Sequence, residues 1–77
     1  MLEMTTREIH QRCRDLATEA VRIMMRDPIV RRCECFGVHI TCAMTVDIAA
    51  ALLKHAAERT TFDDIRAATV RPVYPTA

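Results

Sequence analysis

The sequence predicts a compact, mostly α-helical small domain, and three observations support this prediction. Apolar residues near the N-terminus recur at steps of three and four, the spacing of one face of an amphipathic helix. Helix-capping patterns occur at three separate threonines. The chain has 77 residues, enough for one small domain. Its hydrophobic content of 51% is sufficient for a core, so the composition argues against disorder.

The first and longest helix is predicted near residues 5–26. Thr5 and Glu8 have the spacing of a capping box, in which each residue caps the other's backbone amide. The residue before a proline avoids helical backbone angles, so Asp27-Pro28 should end the helix. The predicted inward seam consists of Ile9, Cys13, Leu16, Ala20 and Ile23, widened near its end by Val21, Met24 and Met25.

Two shorter helices are predicted near residues 45–59 and 61–69. Thr45 can cap the first of them, and Ala49 and Ala50 provide a face small enough for close approach of another helix. Thr61 can cap the second, whose predicted buried residues are Phe62, Ile65 and Ala68.

These elements suggest a simple division of the chain. Residues 5–69 form the predicted helical domain, and residues 1–4 are assigned to the chain start, with Met4 as an alternative initiator. Residues 70–77 contain two prolines and are predicted to form an extended, mobile C-terminal tail.

Residues 28–42 allow two interpretations, which the sequence leaves open. In the first, a short helix runs from Pro28 to Phe36 and Gly37 closes it with a positive φ. In the second, a β-hairpin turns at Phe36-Gly37 and places Glu34 opposite His39. One face of this hairpin would hold Cys33, Cys35, Val38, Ile40 and Cys42, and the other Arg32, Glu34, His39 and Thr41.

Arginine dominates the basic residues and provides the candidate binding site. The net charge is only +1, yet Lys54 is the single lysine among eleven basic residues. A stripe of helix-one arginines contains no acidic residue, which suggests contact with carboxylates or phosphates of a partner. The predicted partner-binding residues are Arg7, Arg14, Arg22, Arg26, Arg31 and Arg32.

The cysteines and histidines suggest a metal site only by their number. Cys33, Cys35, His39 and Cys42 could supply a Cys₃His zinc site, but their spacing differs from the usual paired C-x-x-C pattern. We therefore expect no metal and no cofactor, with the cysteines acting as small buried apolar residues. We expect no enzymatic activity, because no Ser-His-Asp or Cys-His-Asn order is recognisable and Cys13 lies within the apolar seam, where a thiol is unreactive.

Two partial resemblances to DNA-binding families accompany the two interpretations of residues 28–42. If the helix forms, Cys33, Phe36, Gly37 and Val38 resemble the first helix and turn of a helix-turn-helix, with a second helix from about Thr41. Ile40 departs from that pattern, because a polar residue usually begins the second helix.

If the hairpin forms, Val38–Met44 and the two following helices are similar to a ribbon-helix-helix protein. The helical steps that carry this similarity are those of Met44, Ile48, Leu52 and Ala56. The strand presents His39 and Thr41 where that family has basic residues. Either resemblance implies a dimeric DNA-binding regulator.

The sequence favours a non-catalytic regulatory or inhibitory protein of the type found in phages and mobile elements. Its expected partner is a larger protein or nucleoprotein complex, contacted through the arginines. The alternatives are the dimeric DNA-binding regulator and a zinc-stapled module. A homodimer is compatible with all three of these functions. It would add stability to a core that by itself supplies only ~3–5 kcal/mol. We expect a cytoplasmic location and no membrane contact, because neither a signal peptide nor a run of 18 apolar residues is present.

Overall fold

The computed structural model describes residues 3–76, which form three helices and three strands. Just over half of these residues are helical, so the predicted helical character is confirmed in part. A small antiparallel sheet makes the fold a mixture of α and β. The elements are α1 (Thr6–Arg26), β1 (Arg32–Cys35), β2 (Val38–Thr41), α2 (Val46–Ala57), α3 (Phe62–Ala67) and β3 (Arg71–Val73).

Helix α1 begins and ends where its sequence signals predict. The Thr5 hydroxyl accepts a hydrogen bond from the Glu8 amide at 3.2 Å, and Glu8 Oε1 accepts one from the Thr5 amide at 3.4 Å. This reciprocal capping box satisfies amides that the first helical turn leaves unpaired. At the other end, Asp27 has an extended backbone, as expected before Pro28. The buried residues of α1 are Cys13, Leu16, Ala17, Ala20 and Met24.

Residues 32–41 form the predicted hairpin, and the alternative helix over Pro28–Phe36 is wrong. Glu34 lies opposite His39 in the register of β1 and β2. The physical reason is the period of the apolar residues: Cys33 and Cys35 both face the core. Positions two apart share a face in a strand but diverge by about 200° on a helix.

The hairpin turn requires an unusual backbone at Phe36. Phe36 and Gly37 have φ values of 53° and 76°. Positive φ at both central residues matches the right-handed twist of the strands, which is why such turns favour Asn-Gly. A bulky side chain is disfavoured in this region. Phe36 is partly buried against the core, and this packing favours the conformation despite its backbone cost.

The C-terminal residues contribute a third strand that the sequence analysis did not identify. Strand β3 pairs antiparallel with β1, giving the sheet order β2-β1-β3. The Arg31 amide also donates to the Val73 carbonyl at 3.3 Å, and the Tyr74 hydroxyl donates to Asp27 Oδ2 at 3.1 Å. Pro72 is compatible with this arrangement because an edge strand tolerates a residue without an N–H.

Helices α1 and α2 pack against each other and cover the inner face of the sheet. Ala49 and Ala50 are fully or almost fully buried, as the small face predicted. In α3, Ile65 is fully buried, but the predicted burial of Phe62 is wrong because its side chain remains 38% exposed. None of the described helices is long and apolar enough to cross a membrane.

Arg12 links α1 to the end of α3. Its guanidinium donates to the Ala68 carbonyl, a group that the short helix leaves without an internal partner. On α1 itself, Glu8 and Asp15 have the i+4 and i+3 spacing at which they could pair with Arg12. Instead, Glu8 caps the helix and Asp15 accepts a hydrogen bond from Gln11 at 3.0 Å.

We expect Ala50→Leu to destabilise the protein by ~1–3 kcal/mol, because the added methylene groups overpack the α1–α2 contact. Ala51→Leu is the matched control, since Ala51 is exposed on the same helix. Urea unfolding measures both free energies. Equal stability of the two variants and the parent would contradict close packing at Ala50.

Candidate functional site

All six arginines of the predicted site are exposed to solvent. Four of them lie on α1, where Arg7 and Arg26 are separated by about 28 Å along the axis. Arg31 and Arg32 follow after a short loop, and Arg32 is the first residue of β1. The predicted residues therefore form an extended stripe rather than one compact cluster.

Two of the six arginines have acidic partners within the fold. Arg14 Nη1 lies 2.9 Å from Asp47 Oδ1, an ion pair that links α1 to the first turn of α2. Arg32 Nε lies 3.5 Å from Glu34 Oε1. The sequence analysis compared the arginine stripe only with acidic residues on α1. It therefore did not predict the pairing of Arg14 with Asp47 on α2. In the part of the chain that the structure describes, the arginines without an ion pair include Arg7, Arg22, Arg26 and Arg31.

An apolar groove lies beside two of these unpaired arginines. It has a volume of about 500 Å³ and runs between the C-terminal half of α1 and the start of α2. Met25 is 80% exposed there, the largest exposed fraction among the exposed large apolar side chains of residues 3–76. We call this surface the α1 groove. Its lining residues are Thr18, Val21, Arg22, Met25, Arg26 and Val46.

A smaller apolar pocket of about 70 Å³ continues the α1 groove. Val21 and Met25 line both, and Met24, Cys42 and Met44 complete the smaller one. Methionine side chains are unbranched and polarizable, so they can adapt to differently shaped apolar surfaces. The sequence analysis placed Val21, Met24 and Met25 on the widened inward seam. Met24 is buried, but the inward placement of Met25 is wrong.

Glu34 organises the opposite, outer face of the sheet. It lies on the central strand, directly across from His39 on β2 and from Arg71 on β3. Arg71 donates a hydrogen bond to its carboxylate, and His39 Nδ1 lies 3.7 Å away. The hydrogen bond from Arg71, and then the charges of Arg71, His39 and Arg32, hold the pKa of Glu34 below its ordinary value. This carboxylate ties both edge strands to the central one.

The structure does not bring the four candidate zinc ligands together. Cys33 and Cys35 point into the core, whereas His39 lies on the outer face of the sheet. Cys42 is exposed beyond the end of β2. Within residues 3–76, no group of three or more His, Cys, Asp or Glu side chains is placed to hold a metal ion.

Burial also makes three of the thiols unreactive. Burial raises the pKa of Cys13 and Cys33 above the ordinary value, and it raises that of Cys35 to about 11. A thiol must ionise to act as a nucleophile or metal ligand. These three side chains therefore stay protonated at neutral pH and serve as parts of the core.

The geometry also bears on the two DNA-binding resemblances. The helix-turn-helix resemblance is wrong, because the segment Pro28–Phe36 that would be its first helix contains strand β1. The order strand, helix, helix of the other resemblance does occur in β2, α2 and α3. However, β2 pairs with β1 of its own chain. Comparisons of the chain with protein-family models, with curated proteins and with solved structures find no match.

We expect Glu34→Gln to lower stability at neutral pH, and the difference from the parent to shrink in acid. The folded-state pKa of Glu34 is depressed, so its stabilising contribution is present above the ordinary value of 4.5. That contribution is lost as the pH falls through the folded-state pKa. Urea unfolding between pH 7 and pH 3 measures the difference.

Glu3→Gln is the matched control, because Glu3 is exposed and precedes the first helix. It should follow the parent at every pH. A stability difference for Glu34→Gln that stays constant from neutral to acidic pH would contradict the proposed role of the carboxylate.

Proposed function

We propose that this chain is a non-catalytic regulatory or inhibitory protein that docks on a larger protein partner through the α1 groove. The observation that carries the proposal is the combination of an exposed apolar side chain, Met25, with two flanking arginines that have no ion pair among the described residues. Arg22 and Arg26 contribute directly to the lining of the groove.

Burial of the apolar part of the groove would favour binding of a partner. Fully burying a methionine side chain is favourable by roughly 1.5–3 kcal/mol, and most of Met25 is in water in the free protein. Methionine and arginine are both enriched at the centres of protein–protein interfaces. An arginine already held by a partner within the fold, such as Arg14, has less to gain from a new contact.

The charges favour an acidic and apolar segment as the occupant of the groove. A guanidinium group binds a carboxylate through two parallel hydrogen bonds, and the thioether of Met25 suits an aliphatic or aromatic side chain beside it. DNA would engage the arginines but leave the apolar floor exposed. A net charge of +1 also provides little of the overall field that DNA-binding proteins use.

The remaining arginines of the predicted site have different proposed roles. Arg7 and Arg31 have no ion pair within residues 3–76 and would extend the contact beyond the groove. Arg14 positions the first turn of α2, which contributes Val46 to the groove wall. Arg32 supports the charged face of the sheet through Glu34.

We expect Arg22→Glu and Met25→Ala each to weaken partner binding at least tenfold, the loss reported for central interface side chains. Folding stability should change by less than about 1 kcal/mol, because both side chains are exposed. Arg22→Glu should act mainly through a slower association rate with a weaker salt dependence. The partner is first captured from source-cell extract with the parent protein, with and without nuclease, and binding is then measured by surface plasmon resonance.

The matched control is Arg59→Glu, the same charge reversal on an exposed arginine beyond the opposite end of α2. It should bind like the parent. Unchanged binding by both groove variants would contradict the proposal. Capture that disappears with nuclease would support the DNA-binding alternative instead.

A further inference from the structure

The two edges of the sheet differ in their protection. An exposed edge strand offers unpaired backbone groups to other chains, and proteins usually block it with charges or proline. At one edge, β3 carries Arg71 and Pro72. At the other edge, β2 has the sequence Val-His-Ile-Thr and contains neither proline, lysine nor arginine. The β2 edge is therefore open to pairing.

The hairpin geometry identifies which backbone groups of β2 are free. Next to a two-residue turn, Cys35 and Val38 form a hydrogen-bonded pair, and such pairs alternate along an antiparallel ladder. The backbone groups of His39 and Thr41 consequently point away from β1. The Thr41 carbonyl accepts a hydrogen bond from the Met44 amide at 3.1 Å. In the described part of the chain, no hydrogen bond engages the His39 amide, the His39 carbonyl or the Thr41 amide on this side of β2.

Helix α2, which packs on β2, carries two exposed apolar side chains. Ile48 is 52% exposed and Leu52 is 39% exposed. Asp47 marks the flank of α2 that borders α1, through its ion pair with Arg14. At about 100° per residue, Asp47 lies on one side of the buried face of α2, and Ile48 and Leu52 lie on the other side. Because the Asp47 side borders α1, the side with Ile48 and Leu52 faces away from α1. Since α2 packs on β2, which is the edge strand, this flank lies on the β2 side of the sheet.

We propose that the β2 edge pairs with a second copy of the same chain. Strand β2 would lie antiparallel to its counterpart, with the two-fold axis at Ile40. The Thr41 amide of each copy then donates to the His39 carbonyl of the other. This register sets each His39 opposite Thr41, so the two imidazoles do not face each other. Ile48 and Leu52 of both copies meet beneath the extended sheet.

The available area suits a small, reversible dimer. Helix α2 is about 18 Å long, and the combined height of strand edge and helix is similar. Two such faces bury roughly 650 Å² in total, which is in the range of weak, transient contacts. A closed two-fold contact needs one surface that complements itself, and an open antiparallel strand edge has that property.

Analytical ultracentrifugation of the full chain across the micromolar range tests this proposal. We expect the parent mass to approach twice 8.8 kDa as concentration rises. Leu52→Lys should reduce the mass to that of one chain by placing two charges in the interface. Thr41→Pro should do the same, because it removes an outward amide while leaving the bonds to β1 intact. Ala51→Lys, on an exposed position of the same helix, should remain dimeric.

Two results would overturn the proposal: a parent that stays monomeric at all concentrations, or a dimer that survives both interface variants. Circular dichroism of Leu52→Lys measures whether the variant keeps the parent's helix content, which separates loss of the dimer from loss of the fold. The α1 groove takes no part in this interface. A monomeric parent would therefore not contradict the proposed docking function. Likewise, loss of partner binding in the groove variants would not contradict the dimer.

Discussion

Each strand of this protein depends on α1 for cover. Strands of three or four residues form a sheet too small to be stable in water by itself. Its inner face carries Cys33, Cys35 and Ile40, which are almost completely buried. Leu16, Ala17 and Ala20 of α1 belong to the same core, together with the alanine face of α2. One helix thus holds together elements that are distant in the sequence, including the C-terminal strand.

This arrangement also determines what remains exposed. Helix α1 has 21 residues and α2 has 12, so α2 can cover only part of α1. The apolar side chains near the C-terminus of α1 extend beyond the fully packed region, which is how Met25 comes to line an open groove. On α2, the flank away from α1 has no helix beside it within the described chain, and Ile48 and Leu52 stay exposed there. The two proposed contact surfaces therefore arise from the same shortage of covering elements.

Local features could be predicted from the sequence, whereas contacts between distant segments could not. The caps at Thr5, Thr45 and Thr61 depend on residues three positions apart, so the starts of the helices could be predicted from the local sequence. Within β1 and β2, the residues on each face of the hairpin were also predicted correctly. The sequence did not decide, however, between this hairpin and a short helix. The choice depends on α1 covering one face, and this contact between distant elements leaves no local pattern. Strand β3 was missed because prolines argue against a helix but do not indicate pairing with β1. The same reason applies to the ion pair of Arg14 with Asp47 and to the contact of Arg12 with α3.

The claim that the C-terminal residues complete a sheet held by α1 can be tested by amide hydrogen exchange, followed residue by residue with NMR. Native opening of a cooperative unit exposes its hydrogen-bonded amides together. The account predicts that amides of β1 paired with β2 and β3 exchange as slowly as those in the middle of α1, and that the Arg31 amide, bonded to Val73, is also protected. Fast exchange throughout residues 31–41 and 71–73, with slow exchange confined to the helices, would contradict it.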